Sequence, residues 1–272
     1  MTKGRLKGWR RVASAIWPAP MDPQIYATLD LDAGPSLSFI EGARRAGHRV
    51  TPTHLVGRAL ARALAAVPEL NVRIVGQHYQ PRERTEIFFI TALSRGGADL
   101  SGVKVDVADK SALQLGAELE RGATALRAGR DRAFARTKRL MDALPGPLLR
   151  ASLHGASLLT GRLQRDVPLL ALKKDPFGSA IVSSVGSLGL SRGFAPLSWM
   201  YDVPLLLLVG EIAEQAVAVS GKVVARPILP ISATIDHRYV DGLHLSRALQ
   251  SFRAYLADPA AFEPALPAPR DD

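Results

Sequence analysis

The 272-residue sequence predicts an α/β (α+β) two-layer sandwich built on a mixed β-sheet. Three observations point there. Amphipathic helical periods run through Leu55–Val67, Leu113–Leu126 and Leu245–Leu256, short β-branched or apolar runs lie between them (Ile87–Ile90, Leu205–Val209, Leu229–Ile235), and turn residues such as Gly221 separate the runs. At 47% hydrophobic and 22% charged residues the chain can bury a sizeable core. No compositional break or internal repeat divides it, so a single domain over 1–262 is expected.

The elements follow in order. After a proline-broken arm, apolar residues alternate at Ile25, Ala27, Leu29 and Leu31, the period of a strand, and a helix is expected from Ser36 or Ser38 to Ala46. Thr51-Pro52 supplies an N-cap and an early proline for the next helix, whose Arg58 and Arg62 read as a solvated face. Strands are expected at 72–75, 78–80, 85–93 and 103–107, then a helix opened by Asp109 or Ser111. Residues 127–175 read as a basic amphipathic helical pair interrupted at Pro145-Gly146-Pro147. Its leucine stripe can pack on the domain, mediate oligomer contacts or lie on an anionic membrane surface. Packing against protein is favoured over lipid, and a partner-binding or self-association surface is expected within 136–165. Strands return at 179–184, 205–209, 216–219, 222–227 and 229–235, with a hairpin at Gly221. Asp241-Gly242 opens a last helix that stops near Asp258-Pro259, and a disordered tail is expected over 263–272.

Composition removes several function classes. The chain has no cysteine, hence no disulfide, thiolate metal site or cysteine nucleophile, and no histidines stand at metal-ligand spacing. The net charge of +10 is carried by scattered arginines, and only 6% of residues are aromatic, so a nucleic-acid partner is not expected; an anionic small molecule or acidic partner suits the charge equally well. The basic N-terminus is broken by Pro18, Pro20 and Pro23 before any apolar stretch develops, and no apolar run reaches membrane-spanning length, so a cytoplasmic location is expected.

Among six histidines, His237 stands apart because it directly follows an apolar strand and precedes a helix, a junction that can hold an imidazole rigidly. The septet Asp236-His237-Arg238-Tyr239-Val240-Asp241-Gly242 resembles the D-H-R-x-x-D-G signature of dihydrolipoamide acyltransferase catalytic domains and the H-x-x-x-D-G signature of chloramphenicol acetyltransferases. Three further stretches resemble that superfamily in the same order: the alanine-rich helix ending in Val67-Pro68-Glu69-Leu70-Asn71, Val107 to Ser111, and Val182 to Gly189.

The resemblance implies a chloramphenicol-acetyltransferase-like fold and transfer of an acyl group between coenzyme A and a thiol or other acceptor. It implies His237 as general base, Ser183 as hydrogen-bond donor to the oxyanion, and Asp241 held in an ion pair with Arg10, with Arg11 competing. Asp236, Arg238 and Gly242 support the motif. It further implies a homotrimer, or a multiple of three, with the site shared between subunits, acyl-CoA as substrate, no metal, and a lipoyl group only if another chain brings it. With neither a lipoyl domain nor a subunit-binding domain recognisable, a free-standing catalytic domain is expected. Ser184 stands where the family has asparagine, and 127–175 is an insertion, so the acceptor stays open. Two rival readings are a catalytically idle trimeric scaffold and a condensation-type enzyme; intact His237 and Asp241 disfavour the first, and the single short domain disfavours the second.

Overall fold

Strict alternation makes β1 (Gln24–Asp32) a strand with one face toward protein, and the Thr51 cap with Pro52 at the first helical position starts α2 (Pro52–Ala66) where expected. A computed structural model describes residues 22–75, 77–92, 100–128, 145–167, 174–197 and 201–268. Between these elements lies α1 (Gly34–Arg45). Then come β2 (Val72–Val75), β3 (His78–Pro81), β4 (Glu86–Ala92), β5 (Leu100–Asp106), α3 (Ala112–Arg127), α4 (Gly146–Ser157), β6 (Ala180–Ser184), β7 (Leu205–Val209), β8 (Ala213–Val219), β9 (Lys222–Asp236) and α5 (Gly242–Ala257).

Among the described residues β2 and β3 form a hairpin, and the other strands form one seven-stranded sheet in the order β1-β9-β7-β6-β4-β5, with β8 also on β9. The β4–β6 and β6–β7 pairs are parallel and the rest antiparallel, so the sheet is mixed, as the sequence predicts. One face carries Val182, Leu205, Leu207, Ile231 and Ile235 against the helices. Fully buried Leu55, Leu60 and Leu64 of α2 each contribute about 1.5–3 kcal/mol there. The opposite face carries Ile181, Leu206 and Leu208, covered by Leu197 and Val203.

Four expectations change. The two strands foreseen at 222–227 and 229–235 are one fifteen-residue strand, β9, running through Pro227 and Pro230. It tolerates them because they fall where β8, paired to residues 222–228, hands over to β1 and β7; their carbonyls still accept, from Ala33 N at 2.8 Å and Gly210 N at 2.9 Å. Arg58 is not solvated: it is 9% exposed, ion-paired through Nε with Glu263 at 3.2 Å, and donates to Val107 O. Arg62 lies over the Phe262 ring, 4.3 Å from its centroid. The expected disordered tail is anchored at its start, because the Glu263 carboxylate also accepts from Tyr255 Oη at 2.7 Å and Ala112 N at 2.6 Å. Residues 269–272 and the N-terminal arm to residue 21 lie outside the described residues.

The β8–β9 turn has positive φ at both Ser220 (49°) and Gly221 (77°), as a two-residue hairpin of right-handed twist requires. At the other end of the helix layer, His54 completes the α2 cap by accepting from Thr51 N at 3.3 Å, and burial beside Arg49 pulls its imidazole down to about 4. Between about pH 6.5 and 4 the unfolded chain takes up a proton that the folded one refuses, so stability falls with falling pH across that window, by about 2.5 kcal/mol for this group. His54→Gln keeps a capping acceptor without the titration. Urea unfolding at pH 7 and pH 4.5 should show the variant losing less stability on acidification than wild type; equal losses would remove His54 from the acid limb.

Candidate active site

The sequence places His237 at a strand end, and the structure fastens the backbone on both sides of it. Asp236 N donates to Pro204 O at 2.9 Å, His237 N to Pro23 O at 3.0 Å and Tyr239 N to Asp236 O at 3.1 Å. Asp236, 4% exposed, accepts from Arg238 N at 3.0 Å and from its guanidinium at 2.5–3.0 Å, a charge-assisted pair that holds Arg238 above its ordinary pKa. Tyr239 and Val240 are both 3% exposed and act as hydrophobic anchors. Burial, with the Asp202 charge nearby, pushes the Tyr239 phenol well up; its hydroxyl donates to Asp202 O at 3.5 Å and accepts from the Ile74 backbone. From the hairpin, Tyr79 Oη reaches Arg238 O at 3.1 Å. The His237 ring itself is exposed and makes no hydrogen bond among the described residues.

Asp241 opens the last helix, as the sequence predicts. Its side chain is 59% exposed and works as the N-cap of α5, accepting from Leu243 N at 3.0 Å and His244 N at 3.2 Å, with His244 Nδ1 at 2.7 Å. These hydrogen bonds, led by those from His244, hold its carboxyl below the usual range. Arg10 and Arg11 lie outside the described residues, and among the described residues Asp241 is a cap with Gly242 at the first helical position rather than a buried ion-pair partner. His244, read as packing or surface, is the reciprocal member of that cap and lies 3.8 Å from Glu69.

Ser183 sits near the end of β6, half-buried, on the face away from the helices; its hydroxyl makes no hydrogen bond among the described residues. The loop beyond it turns at Gly186, where a Cβ would lie 2.5 Å from Gly210 O, so only glycine allows that approach. Register then fixes the distance to the histidine. Ser183 stands opposite Leu208 on β7, and Leu208 opposite Ser232 on β9, with His237 five residues beyond. Two strand spacings across and five residues along put the two Cα atoms about 20 Å apart within one chain.

A buried ionic cluster that the sequence did not disclose supports the loop. Arg82, whose side chain is 2% exposed, pairs with Asp175, and Arg73 Nη1 lies 3.9 Å from the same carboxylate. Arg82 Nη2 also donates to Asp202 O at 2.7 Å, the carbonyl that Tyr239 uses. Asp175 and Asp202 both have left-handed φ, 49° and 53°. Aspartate at turn positions was the one available signal, since it tolerates that conformation.

The comparisons agree with this geometry. Residues 174–263 match the family described as 2-oxoacid dehydrogenases acyltransferase (catalytic domain). A relative in Bacillus subtilis, the dihydrolipoyllysine-residue acetyltransferase component of pyruvate dehydrogenase complex, is 36% identical over 81 residues, which are 30% of this chain and 18% of the relative. The chain thus aligns to about a fifth of the length of such relatives. Among solved structures, a probable dihydrolipoamide acetyltransferase from Listeria monocytogenes is similar with a TM-score of 0.65 at 18% identity, covering 98% of both chains. The cubic core of a pyruvate dehydrogenase multienzyme complex is similar with a TM-score of 0.64 at 22% identity, over 89% of this chain and 84% of that one. The fold is therefore that of these two solved proteins, and the matched segment spans both Ser183 and the septet.

Removing the Asp175 carboxylate would take from the buried Arg73 and Arg82 the carboxylate that both approach. Asp175→Ala should cost about 3–5 kcal/mol in urea-unfolding free energy. A loss below about 1 kcal/mol would show that the cluster does not hold the loop.

Proposed function

We propose that this protein is an acyltransferase that moves an acyl group between coenzyme A and a thiol of the dihydrolipoyl kind, with His237 as general base. The observation that carries this reading is an exposed, unengaged imidazole between two anchored backbone neighbours, at the end of β9, inside the family-matched segment. The imidazole takes the proton from the thiol, the thiolate attacks the thioester carbonyl, and collapse of the tetrahedral intermediate expels the other thiolate, which recovers the proton from the imidazolium. The oxyanion needs a donor, and the unpaired Ser183 hydroxyl suits that role.

Because Ser183 and His237 lie about 20 Å apart in one chain, the reading requires the histidine of one protomer to face the serine of another. A homotrimer, or a multiple of three, provides that arrangement. Apolar surface on the Ser183 face supports it: Tyr26 and Phe194, both half-exposed, pair edge-to-face with centroids 5.0 Å apart, and Leu188 and Leu190 are exposed beside them in sequence. A chain bearing a lipoyl group is the partner that would bring the acceptor thiol, and the cytoplasm is the compartment where that thiol and acyl-CoA meet.

The test follows free coenzyme A release from acyl-CoA in the presence of dihydrolipoamide. His237→Ala should lower turnover about 10²–10⁴-fold while its melting temperature and mass stay unchanged, since the ring touches nothing that the fold uses. Ser183→Ala should lower kcat with little change in KM. A His237→Ala enzyme within tenfold of wild type, or a fully active monomer by light scattering, would contradict the reading.

A further inference from the structure

We propose that Tyr79, on the hairpin outside the main sheet, is a positioning residue for His237, an inference that rests on the base role given to that histidine above. In the β2–β3 hairpin Ile74 stands directly opposite Tyr79. That one rung touches the two residues that follow the histidine. Tyr79 Oη donates to Arg238 O at 3.1 Å, and the Ile74 main chain donates to Tyr239 Oη. The hairpin is itself held at its base. Arg82 N donates to Asn71 O at 3.0 Å, and the buried Arg82 side chain donates to Asp202 O, the carbonyl that Tyr239 also uses.

The direction of a side chain follows from the peptide planes that flank its Cα. The plane before His237 is fixed by His237 N on Pro23 O, and the plane after it by Arg238 N on Asp236 Oδ1 at 3.0 Å. The next plane, between Arg238 and Tyr239, is fixed through Arg238 O by the Tyr79 hydroxyl. Once released, that plane can turn about the Arg238 Cα and loosen the contact of Arg238 N behind it, which sets the imidazole. Folding does not account for the tyrosine. It is 57% exposed, and every residue of β3 is exposed, so the ring buries little apolar area. At so open a site water can replace the phenol on Arg238 O, and loss of the hydroxyl then costs orientation rather than stability.

The test compares wild type, Tyr79→Phe, His237→Ala and the double variant, following free coenzyme A release from acyl-CoA with dihydrolipoamide. Tyr79→Phe should lower kcat about tenfold with KM unchanged, because misplacing the base slows the chemistry and leaves substrate binding alone. In the His237→Ala background the same change should have no further effect on the residual rate, since a residue acting through the imidazole has nothing left to act on. Amide hydrogen exchange over 236–240 should be faster in Tyr79→Phe, with melting temperature and oligomer mass as in wild type. A kcat within about twofold of wild type overturns the proposal. So does an equal loss in both backgrounds, or a loss that comes with a lower melting temperature or an altered mass, which would make Tyr79 a fold or interface residue. If His237→Ala itself stays active, the base reading falls and exchange over 236–240 decides alone: faster exchange keeps Tyr79 as the residue that holds this loop, and unchanged exchange overturns that as well.

Discussion

The pairing register of β9 is the constraint on which the rest depends. This one strand takes β8 along its first half and β1 and β7 along its second, so seven strands are referred to a single backbone. A one-residue slip would send Ile231 and Ile235 to the wrong face and Thr234 into the helix layer. The same register delivers His237 to the strand's end and holds Ser183 two strands away. Each half of the proposed chemistry is placed with strand-level accuracy, and neither half can reach the other inside one chain.

Around His237 the protein spends its polar groups on the backbone rather than on the ring. Asp236 and Arg238 lock each other, Tyr239 is buried with its hydroxyl on Asp202 O, and Arg82 reaches that carbonyl from the ionic cluster. Asp241 starts α5 as a cap, which fixes where the loop ends. An exposed imidazole on a rigid loop is what the proposed base shared between protomers needs, because its remaining contacts would come from the neighbour.

Much of this was legible in the sequence wherever a local rule decides the outcome. Period and capping locate α2, α3 and α5 nearly to the residue, and Gly221 locates the hairpin. The septet located His237 at its junction. What stayed hidden depends on partners far along the chain. Arg58 looks solvated until Glu263, 205 residues away, turns inward. Arg82 and Asp175 carry no periodic signal at all. Pro227 reads as a break because proline normally ends a strand, and only the change of partners along β9 shows why it and Pro230 are tolerated. The arginine that the family resemblance pairs with Asp241 lies outside the described residues, and what the resemblance did not name is the hydrogen bonding of Asp241 to the first turn of α5.

The central claim is that one active site draws on two chains, and subunit mixing tests it most directly. Ser183→Ala and His237→Ala proteins, each impaired alone, would be unfolded together in equal amounts and refolded. A site then works only where a protomer with intact His237 follows one with intact Ser183, so random assembly should restore about one quarter of wild-type acyl transfer by mass action of mixed oligomers. Activity that stays at the average of the two single variants, in oligomers verified to be mixed, would contradict a site built between subunits.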